Sequence, residues 1–302
     1  MGTNQNRYYK YCSSELGTYN IRYRENDVSI GEKSSTSVLF LHGFGGNADQ
    51  FRKNMDLVGS PKTYALDLLG YGYSDKPSPK AFPRNELYSF NTWSDLVTDF
   101  ITNVIEEPTI LCCNSIGGIV GLQAAVDRPD LIKGIILVDV SLRLLHNKKQ
   151  NPLFRPLVSV LQSVLRDTPI GAQFFNNLLN QRTIKNILTQ AYASNVDDET
   201  VEIILRPGFE DGAAEVFLDF IADSGGPLPE ELLEKLEDTN IPVRILWGKD
   251  DPWEPITLGR ELAKFGCVDE FIELPGAGHC PMDQIPDVFN AEISTTLAAW
   301  GN

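Results

Sequence analysis

A serine among small residues follows a predicted buried strand and is the first candidate for covalent chemistry. The segment CNSIGG, residues 113–118, comes directly after the apolar run 109–113, and apolar residues at helical spacing begin at Ile119. In such a nucleophile elbow, small neighbours permit a tight strand-to-helix turn that exposes the serine hydroxyl. Cys113 stands where the pattern usually has glycine, and the string alone would indicate an ordinary turn. The flanking strand and helix favour the elbow, so the sequence predicts Ser115 as a nucleophile.

A serine hydroxyl needs a neighbouring base, and the chain has only three histidines. His42 ends an apolar run and is interpreted as a structural residue that shapes its loop. His146 stands near two lysines and is expected at the solvated surface. His279 lies in the glycine-rich segment GAGHCP, after the last predicted strand and near the C-terminus. Elimination and position therefore favour His279 as the base.

The base must be oriented by a third group, and the segment GKDDPW at residues 248–253 offers two adjacent aspartates after the penultimate predicted strand. Asp251, which precedes a proline, is the preferred acid, whereas Asp250 is expected to cap the turn. Asp139, which follows the run 135–138, is an alternative acid that could also reach the histidine.

Two backbone amides are expected to form an oxyanion hole. One is the amide of Ile116, beside the predicted nucleophile, and the other is that of Phe44 in the segment HGFGG at residues 42–46. Each preset donor of this kind is worth about 10²- to 10³-fold in rate. Asp67 and the turn at residues 70–75 look equally motif-like, but they are interpreted as a scaffold for the entrance.

These residues must be positioned by a sheet, because short apolar runs alternate with segments of helical length. Strands that are apolar on both faces are typical of a parallel sheet covered by helices, in which functional groups lie at the carboxyl ends of the strands. An alternating pattern at residues 19–23 predicts an earlier, half-exposed strand. The buried runs are 38–41, 64–68, 109–113, 135–138, 243–247 and 270–274.

One region has no β-like run. Between residues 142 and 228, apolar residues recur at helical spacing, for example at Leu153, Leu157 and Val160, and prolines and glycines interrupt them. The sequence thus predicts an α/β core formed by residues 1–141 and 241–302, with a helical lid, or cap, inserted at residues 142–240. Most of these apolar side chains are expected to pack on the core, while some face the cleft.

Composition excludes several classes of function. The 302 residues carry a net charge of −15, which repels nucleic acid and anionic membranes. The longest uncharged run, 108–126, includes Asn114, Ser115 and a Gly-Gly pair, so it indicates a strand, turn and helix and no membrane span. The five cysteines are scattered without C-x-x-C spacing, which supports neither a disulfide framework nor a zinc site and favours a reducing interior. We expect no metal and no cofactor.

Together these motifs resemble the α/β-hydrolase superfamily, whose triad runs in the order serine, acid, histidine along the chain. The resemblance covers about residues 15 to 298, and the strings NSIGG, DPW and GHCP are most similar to the branch of plants and cyanobacteria that contains pheophytinase and chlorophyll dephytylase. This branch implies hydrolysis of the phytyl ester of chlorophyll-type pigments. It also implies a soluble protein of the plastid stroma or of the cyanobacterial cytoplasm. The N-terminus lacks the look of a signal or transit peptide, so the cytosol is an alternative.

The function that we predict is a serine esterase whose substrate is a small molecule with a hydrophobic ester. Ser115, His279 and Asp251 are the predicted triad, and the sequence identifies no protein partner. A serine at position 115 disfavours the chemistries of this fold that use an aspartate nucleophile. The alternatives are a C–C hydrolase, lyase or acyltransferase with the same triad, or a small-molecule receptor that hydrolyses slowly.

Overall fold

The computed structural model describes residues 6–27, 36–57, 62–151, 155–222 and 225–300. Eight strands form one sheet in this part of the chain. Their bounds are β1 Asn6–Ser13, β2 Gly17–Asp27, β3 Val38–Leu41, β4 Lys62–Leu66, β5 Thr109–Asn114, β6 Ile132–Val138, β7 Val243–Gly248 and β8 Val268–Leu274.

The sheet is mostly parallel, as the sequence predicts. Its strand order is β1-β2-β4-β3-β5-β6-β7-β8, with β1 and β2 antiparallel to their neighbours and β3 to β8 mutually parallel. The carboxyl ends of β3 to β8 therefore meet at one edge, where every predicted site residue follows its strand. The first strand, β1, was not predicted. Tyr11 is the one residue of β1 that is buried, and its neighbours are exposed. Such a strand has too short an apolar alternation to be predicted from its sequence.

Helices cover both faces of the sheet and fill the region between β6 and β7. Their bounds are α1 Phe90–Phe100, α2 Ile116–Asp127, α3 Arg155–Asp167, α4 Pro169–Leu178, α5 Gln181–Ala191, α6 Asp198–Leu205, α7 Ala213–Ile221, α8 Pro229–Leu236, α9 Ile256–Gly259, α10 Pro281–Gln284 and α11 Pro286–Trp300. A π-helical turn continues α1 at Ile101–Ile105, and short 3-10 segments occupy Ala48–Phe51, Pro79–Ala81, Pro129–Leu131, Arg206–Phe209 and Arg260–Lys264.

The adjacent cysteines of β5 show how the core divides. Cys112 and Cys113 are both fully buried, yet they belong to different apolar clusters on opposite faces of the sheet. This confirms that successive side chains of a doubly covered strand point to opposite faces. Burial on both faces leaves the carboxyl edge as the place where polar groups of these strands can meet a ligand.

The segment between β6 and β7 is helical, as predicted, and we refer to residues 142–240 as the inserted segment. The predicted apolar stripe lies on α3 and α5, and its first member, Leu153, lies outside the described residues. The expectation that such side chains pack on the core is wrong for Leu157 and Val160, which are 67% and 61% exposed because α3 packs on α4 and α7 and not on the sheet. None of the described helices combines the length and the apolar character that crossing a bilayer requires. The role of the inserted segment as a lid stays a prediction.

Candidate active site

Ser115 lies at a sharp turn between β5 and α2. Its φ and ψ are 54° and −120°, and α2 begins at the next residue, Ile116. A positive φ is strained for a serine, and such strain is concentrated at functional sites. The amide of Ser115 donates to the carbonyl of Val138 at 3.0 Å, which ties the turn to β6. The side chain is 8% exposed, and the residue lines a cavity at the edge of the sheet.

The loop after β3 approaches Ser115 closely because residue 43 is a glycine. A Cβ at Gly43 would lie 2.9 Å from the Cβ of Ser115 and 3.1 Å from Oδ1 of Asn114, so a side chain would not fit without movement. This approach brings Phe44 beside the serine turn, and Phe44, Ser115 and Ile116 line the same cavity. Within the described residues, no hydrogen bond is found from the amide of Phe44 or of Ile116. Both N–H groups are therefore available to a ligand.

His279 is hydrogen-bonded to Asp251, with 2.7 Å between Nδ1 and Oδ2. The side chain of Asp251 is fully buried and that of His279 is 6% exposed. The other oxygen of Asp251, Oδ1, accepts hydrogen bonds from the amides of Trp253 and Glu254 at 2.8 and 3.1 Å. Because Nδ1 is engaged by the carboxylate, Nε2 of His279 is the nitrogen left for proton exchange with a neighbour.

The loop that carries His279 is held by neighbours from two other parts of the chain. The backbone N–H of His279 donates to the carbonyl of Ala191 in α5 at 2.8 Å, and Nδ2 of Asn114 donates to the carbonyl of His279 at 3.0 Å. Gln284 accepts from the amide of Gly278 and donates to the carbonyl of Tyr192. The residue before the serine and the inserted segment therefore both fix the position of the imidazole.

The alternative acids occupy different surroundings. Asp250 is exposed, and it does not cap the turn as predicted, because Oδ1 of Asp251 takes that role. Asp139 is fully buried, and its Oδ1 accepts a hydrogen bond from the amide of Gly248 at 2.8 Å. Burial and the nearby Asp251 carboxylate raise the pKa of Asp139 well above its ordinary range.

The other two histidines are structural in this fold. His42 is buried, its Nδ1 lies 2.8 Å from the carbonyl of Gly43, and its Nε2 accepts from the amide of Leu68. Burial lowers the pKa of His42, which favours the neutral ring that this pattern requires. The prediction that His146 is solvated is wrong: it is 4% exposed, with Nε2 at 2.8 Å from the carbonyl of Gly226. A turn within the inserted segment folds over it, which local sequence does not reveal.

Asp67 is a scaffold residue, as interpreted from the sequence. Its fully buried carboxylate pairs with Arg22 at 3.2 Å and accepts from the amides of Ala48 and Tyr73 at 2.6 and 2.8 Å. It thereby joins β2 to the loops that follow β3 and β4. All of its described partners are structural groups.

The cavity has a volume of about 450 Å³ and two unlike surfaces. One surface, the polar floor, comes from the carboxyl edge of the sheet and includes Gly43, Phe44, Asn114, Ser115, Ile116, Ser141, Glu254 and His279. The other, the apolar roof, comes from the inserted segment and includes Phe175, Leu178, Leu179, Ile184, Ile187, Leu188, Ile204, Val216, Phe217 and Phe220.

Phe44 links the two surfaces. Its ring stacks on Phe220 of α7 with 4.8 Å between centroids and an interplanar angle of 23°, and Phe217 lies 5.2 Å away. The sequence pattern indicates the backbone of Phe44 but not these two roof aromatics, because their pairing depends on how α7 packs over the sheet.

Glu254 is a further cavity residue that no sequence motif predicts. Its carboxylate lines the cavity and accepts from the hydroxyl of Ser141 at 3.0 Å and from the amide of Leu142 at 3.1 Å. Burial raises the pKa of Glu254. Its only sequence signal is its place just after the DDPW string. Among the described residues, no group of three or more His, Cys, Asp or Glu side chains has the arrangement of a metal site.

Most of the chain is similar in sequence to known hydrolases. The sequence profile of the alpha/beta hydrolase family matches residues 38–292. The chloroplastic pheophytinase of Arabidopsis thaliana is 28% identical over 89% of this chain, and the alignment spans 63% of that protein's length. The (lyso)-N-acylphosphatidylethanolamine lipase of Homo sapiens is 27% identical over 88% of this chain and 80% of its own length.

Solved structures show the same architecture. An alpha/beta hydrolase fold protein from Burkholderia ambifaria superposes with a TM-score of 0.72 at 20% identity, over 97% of this chain and 99% of its own. A probable hydrolytic enzyme from Pseudomonas aeruginosa gives 0.74 at 18% identity, over 98% and 95% of the two chains. These likenesses confirm the fold that the sequence predicts.

Proposed function

Because the chain belongs to the alpha/beta hydrolase family, we propose that it is a serine-dependent carboxylic ester hydrolase that acts on a hydrophobic ester. The observation that carries this proposal is a single cavity lined by the strained Ser115 and by a His279 whose Nδ1 is bound to a buried carboxylate. A nucleophile, a base and an orienting acid in this order are the parts that acyl transfer needs.

The proposed reaction begins when Nε2 of His279 takes the proton of Ser115 and the hydroxyl oxygen attacks the ester carbonyl. Asp251 holds the imidazole with its proton on Nδ1 and stabilises the imidazolium that forms. The amides of Phe44 and Ile116 donate to the oxyanion of the tetrahedral intermediate. His279 then protonates the leaving alcohol, and the acyl group remains on Ser115. In the second half, His279 deprotonates a water molecule, which attacks the carbonyl of the acyl-enzyme. The imidazolium then returns this proton to Oγ of Ser115 as the bond from Oγ to the acyl carbon breaks and the acid is released.

The apolar roof supports a substrate with a large hydrocarbon group. Side chains of Phe, Leu, Ile and Val dominate the inserted segment's contribution to the cavity, so a bound alkyl or prenyl chain gains free energy by leaving water. We include the phytyl ester of a chlorophyll-type pigment among the proposed substrates, since the similar Arabidopsis protein is named a pheophytinase. Because that protein is named as chloroplastic, a plastid or cyanobacterial location belongs to the same proposal.

The test compares ester hydrolysis by the wild type, Ser115→Ala and Ser163→Ala, with p-nitrophenyl esters of increasing chain length and with pheophytin as substrates. Ser163 lies on α3 outside the cavity, so its variant controls for the substitution itself. We expect Ser115→Ala to lose at least about 10³-fold in kcat while Ser163→Ala stays within twofold. Unchanged turnover in Ser115→Ala would disprove the proposal. Negligible turnover by the wild type, together with a rise in Tm on adding the ester, would favour a receptor.

A further inference from the structure

Two carboxyl side chains are buried close together near the polar floor, and one of them is bonded to the imidazole of His279. Asp139 follows β6 and Asp251 follows β7, and both side chains are fully buried. The amide of Asp251 donates to the carbonyl of Gly248 at 3.2 Å, and the amide of the same Gly248 is bound to Asp139, so one turn brings the two carboxyl groups together. Oδ1 of Asp139 accepts from the amide of Gly248, whereas Oδ2 has no donor in the part of the chain that the structure describes.

The oxygens of Asp251 already have their donors. Oδ2 is bound to His279, and Oδ1 accepts from the amides of Trp253 and Glu254. A carboxylate has no proton to give, so two ionised carboxylates in contact cannot hydrogen-bond and would repel each other strongly in a buried site. The contact becomes favourable when one of the two is a carboxylic acid.

Within the described residues, no ion pair joins Asp139 to a Lys or Arg side chain. The groups that face Asp139 are Asp251 and Glu254 from the loop after β7 and the buried thiol of Cys280 from the loop after β8. The imidazole of His279 is bonded through Nδ1 to Oδ2 of Asp251. Burial and the negative charge of Asp251 both raise the pKa of Asp139, which favours Asp139 as the member that keeps its proton.

We propose that Asp139 is a neutral carboxylic acid whose Oδ2–H donates a hydrogen bond to the carboxylate of Asp251, so that it positions the Asp251–His279 pair. The proton stays on Asp139 throughout, and no bond to substrate is involved. Asp139 is therefore a positioning residue, in contrast to its expected alternative role as the triad acid. A role of this hydrogen bond in catalysis rests on the proposed esterase function, but the hydrogen bond between Asp139 and Asp251 does not.

The decisive experiment is an NMR titration of the His279 imidazole, which needs no turnover. With three histidines in the chain, the signal is assigned by its loss in His279→Gln. The key variant is Asp139→Asn, because asparagine keeps a donor for Asp251 and an acceptor for Gly248 and tolerates the φ of 43° at this position. We expect the titration midpoint of His279 in D139N to stay within about 0.3 pH unit of the wild type, since one neutral donor replaces another.

Two outcomes would overturn the proposal. A fall of the midpoint by about one pH unit or more in D139N would show that the substitution removed a negative charge, and hence that Asp139 is ionised.

In Asp139→Ala, the lost donor should raise the His279 midpoint and lower kcat by about tenfold, whereas D139N keeps at least half of the wild-type kcat. An unchanged midpoint in the folded D139A variant would equally reject the proposal. If no ester is cleaved by any variant, the NMR result still decides the state of Asp139.

Discussion

The polar floor and the apolar roof of the cavity are held in place by different kinds of interaction. On the floor, directional hydrogen bonds hold the proposed triad residues, such as that of Asp251 to His279 and that of the Ser115 amide to the Val138 carbonyl. On the roof, aliphatic and aromatic side chains contact one another through many weak and interchangeable contacts. The geometry of the floor depends on individual hydrogen-bonding atoms, while the packing of the roof depends on the total volume and apolar area of its side chains. Substitutions should therefore have unequal effects on the two surfaces.

The two surfaces are also joined by a few hydrogen bonds. The carbonyl of Ala191 accepts from the backbone of His279, and Tyr192 and Thr200 donate to the buried carboxylate of Asp283. Arg52 and Lys53 pair with the same carboxylate at 3.0 and 2.7 Å. The inserted segment therefore does more than cover the floor, because it helps to fix the loop that follows β8.

The largest effect should come from the neighbouring aspartates on the floor. Asp251→Asn keeps the size of the side chain but replaces the carboxylate that orients His279, so we expect kcat to fall by about 10³- to 10⁴-fold. Asp250→Asn, one residue earlier and exposed, should change kcat by less than twofold. Steady-state kinetics on a p-nitrophenyl ester measures both. Similar losses in the two variants would contradict the assignment of the acid.

A smaller loss is expected for Asn114→Ala. This substitution removes the bonds from Nδ2 to the carbonyls of His279 and Val138, at 3.0 and 3.2 Å, so the imidazole should sit less accurately beside the serine. We expect kcat to fall by about 10- to 100-fold with little change in KM. Asn103→Ala, on the exposed end of the helix after α1, is the matched control. A change confined to KM would indicate that Asn114 contacts substrate and does not position His279.

The roof should respond more weakly and in a way that depends on the substrate. Phe217→Ala removes a ring that packs on Phe44 and Phe175, so kcat/KM for a long-chain ester should fall by about threefold to tenfold. For a short ester we expect a change below twofold. Phe209→Ala, in the same inserted segment but 64% exposed and outside the cavity, should leave both values unchanged. An equal loss of kcat/KM for both esters would show that Phe217 positions the residues of the floor and does not only contact the long chain.

The smallest effect on turnover is expected for D139N, but its effect on stability should depend on pH. Because the pKa of Asp139 is raised in the folded state, its stabilising contribution is complete below the unfolded pKa of about 4 and is lost as pH rises through the folded pKa. D139N has no such group, so its free energy of unfolding relative to wild type should grow by up to about 1.4 kcal/mol per pH unit above pH 4. Urea unfolding between pH 5 and pH 8 tests this. A constant difference would show that Asp139 is ionised in both states.

The sequence predicted most of the floor because its residues stand in short strings next to buried strands. The runs around Ser115 and after β7 and β8 identify where each strand ends, and a parallel sheet then brings those ends together. The NMR and kinetic tests above decide the roles, but the placement at one cavity follows from strand order. The edge strand β1 was missed because its alternation is short and its residues are mostly exposed.

The roof and the buried acid pair could not be predicted in the same way. Phe217 and Phe220 reach Phe44 through the packing of α7, which is remote from β3 in the chain and has no motif. His146 illustrates the same limit, because its burial depends on residues 225–226 some 80 positions later. Local patterns determine which residues form a helix or strand, whereas long-range packing determines which of their side chains meet.

The aromatic stack between Phe44 and Phe220 makes one residue serve two purposes. The ring of Phe44 belongs to the apolar lining of the cavity, while its backbone N–H is a proposed stabiliser of negative charge in the reaction. An outward displacement of α7 that admits a bulky ligand would also displace the ring of Phe44, and with it the backbone amide of the same residue. Redesign for bulkier substrates therefore has to replace Phe220 on α7 and leave Phe44 unchanged. Otherwise a larger cavity is gained at the cost of a lower kcat.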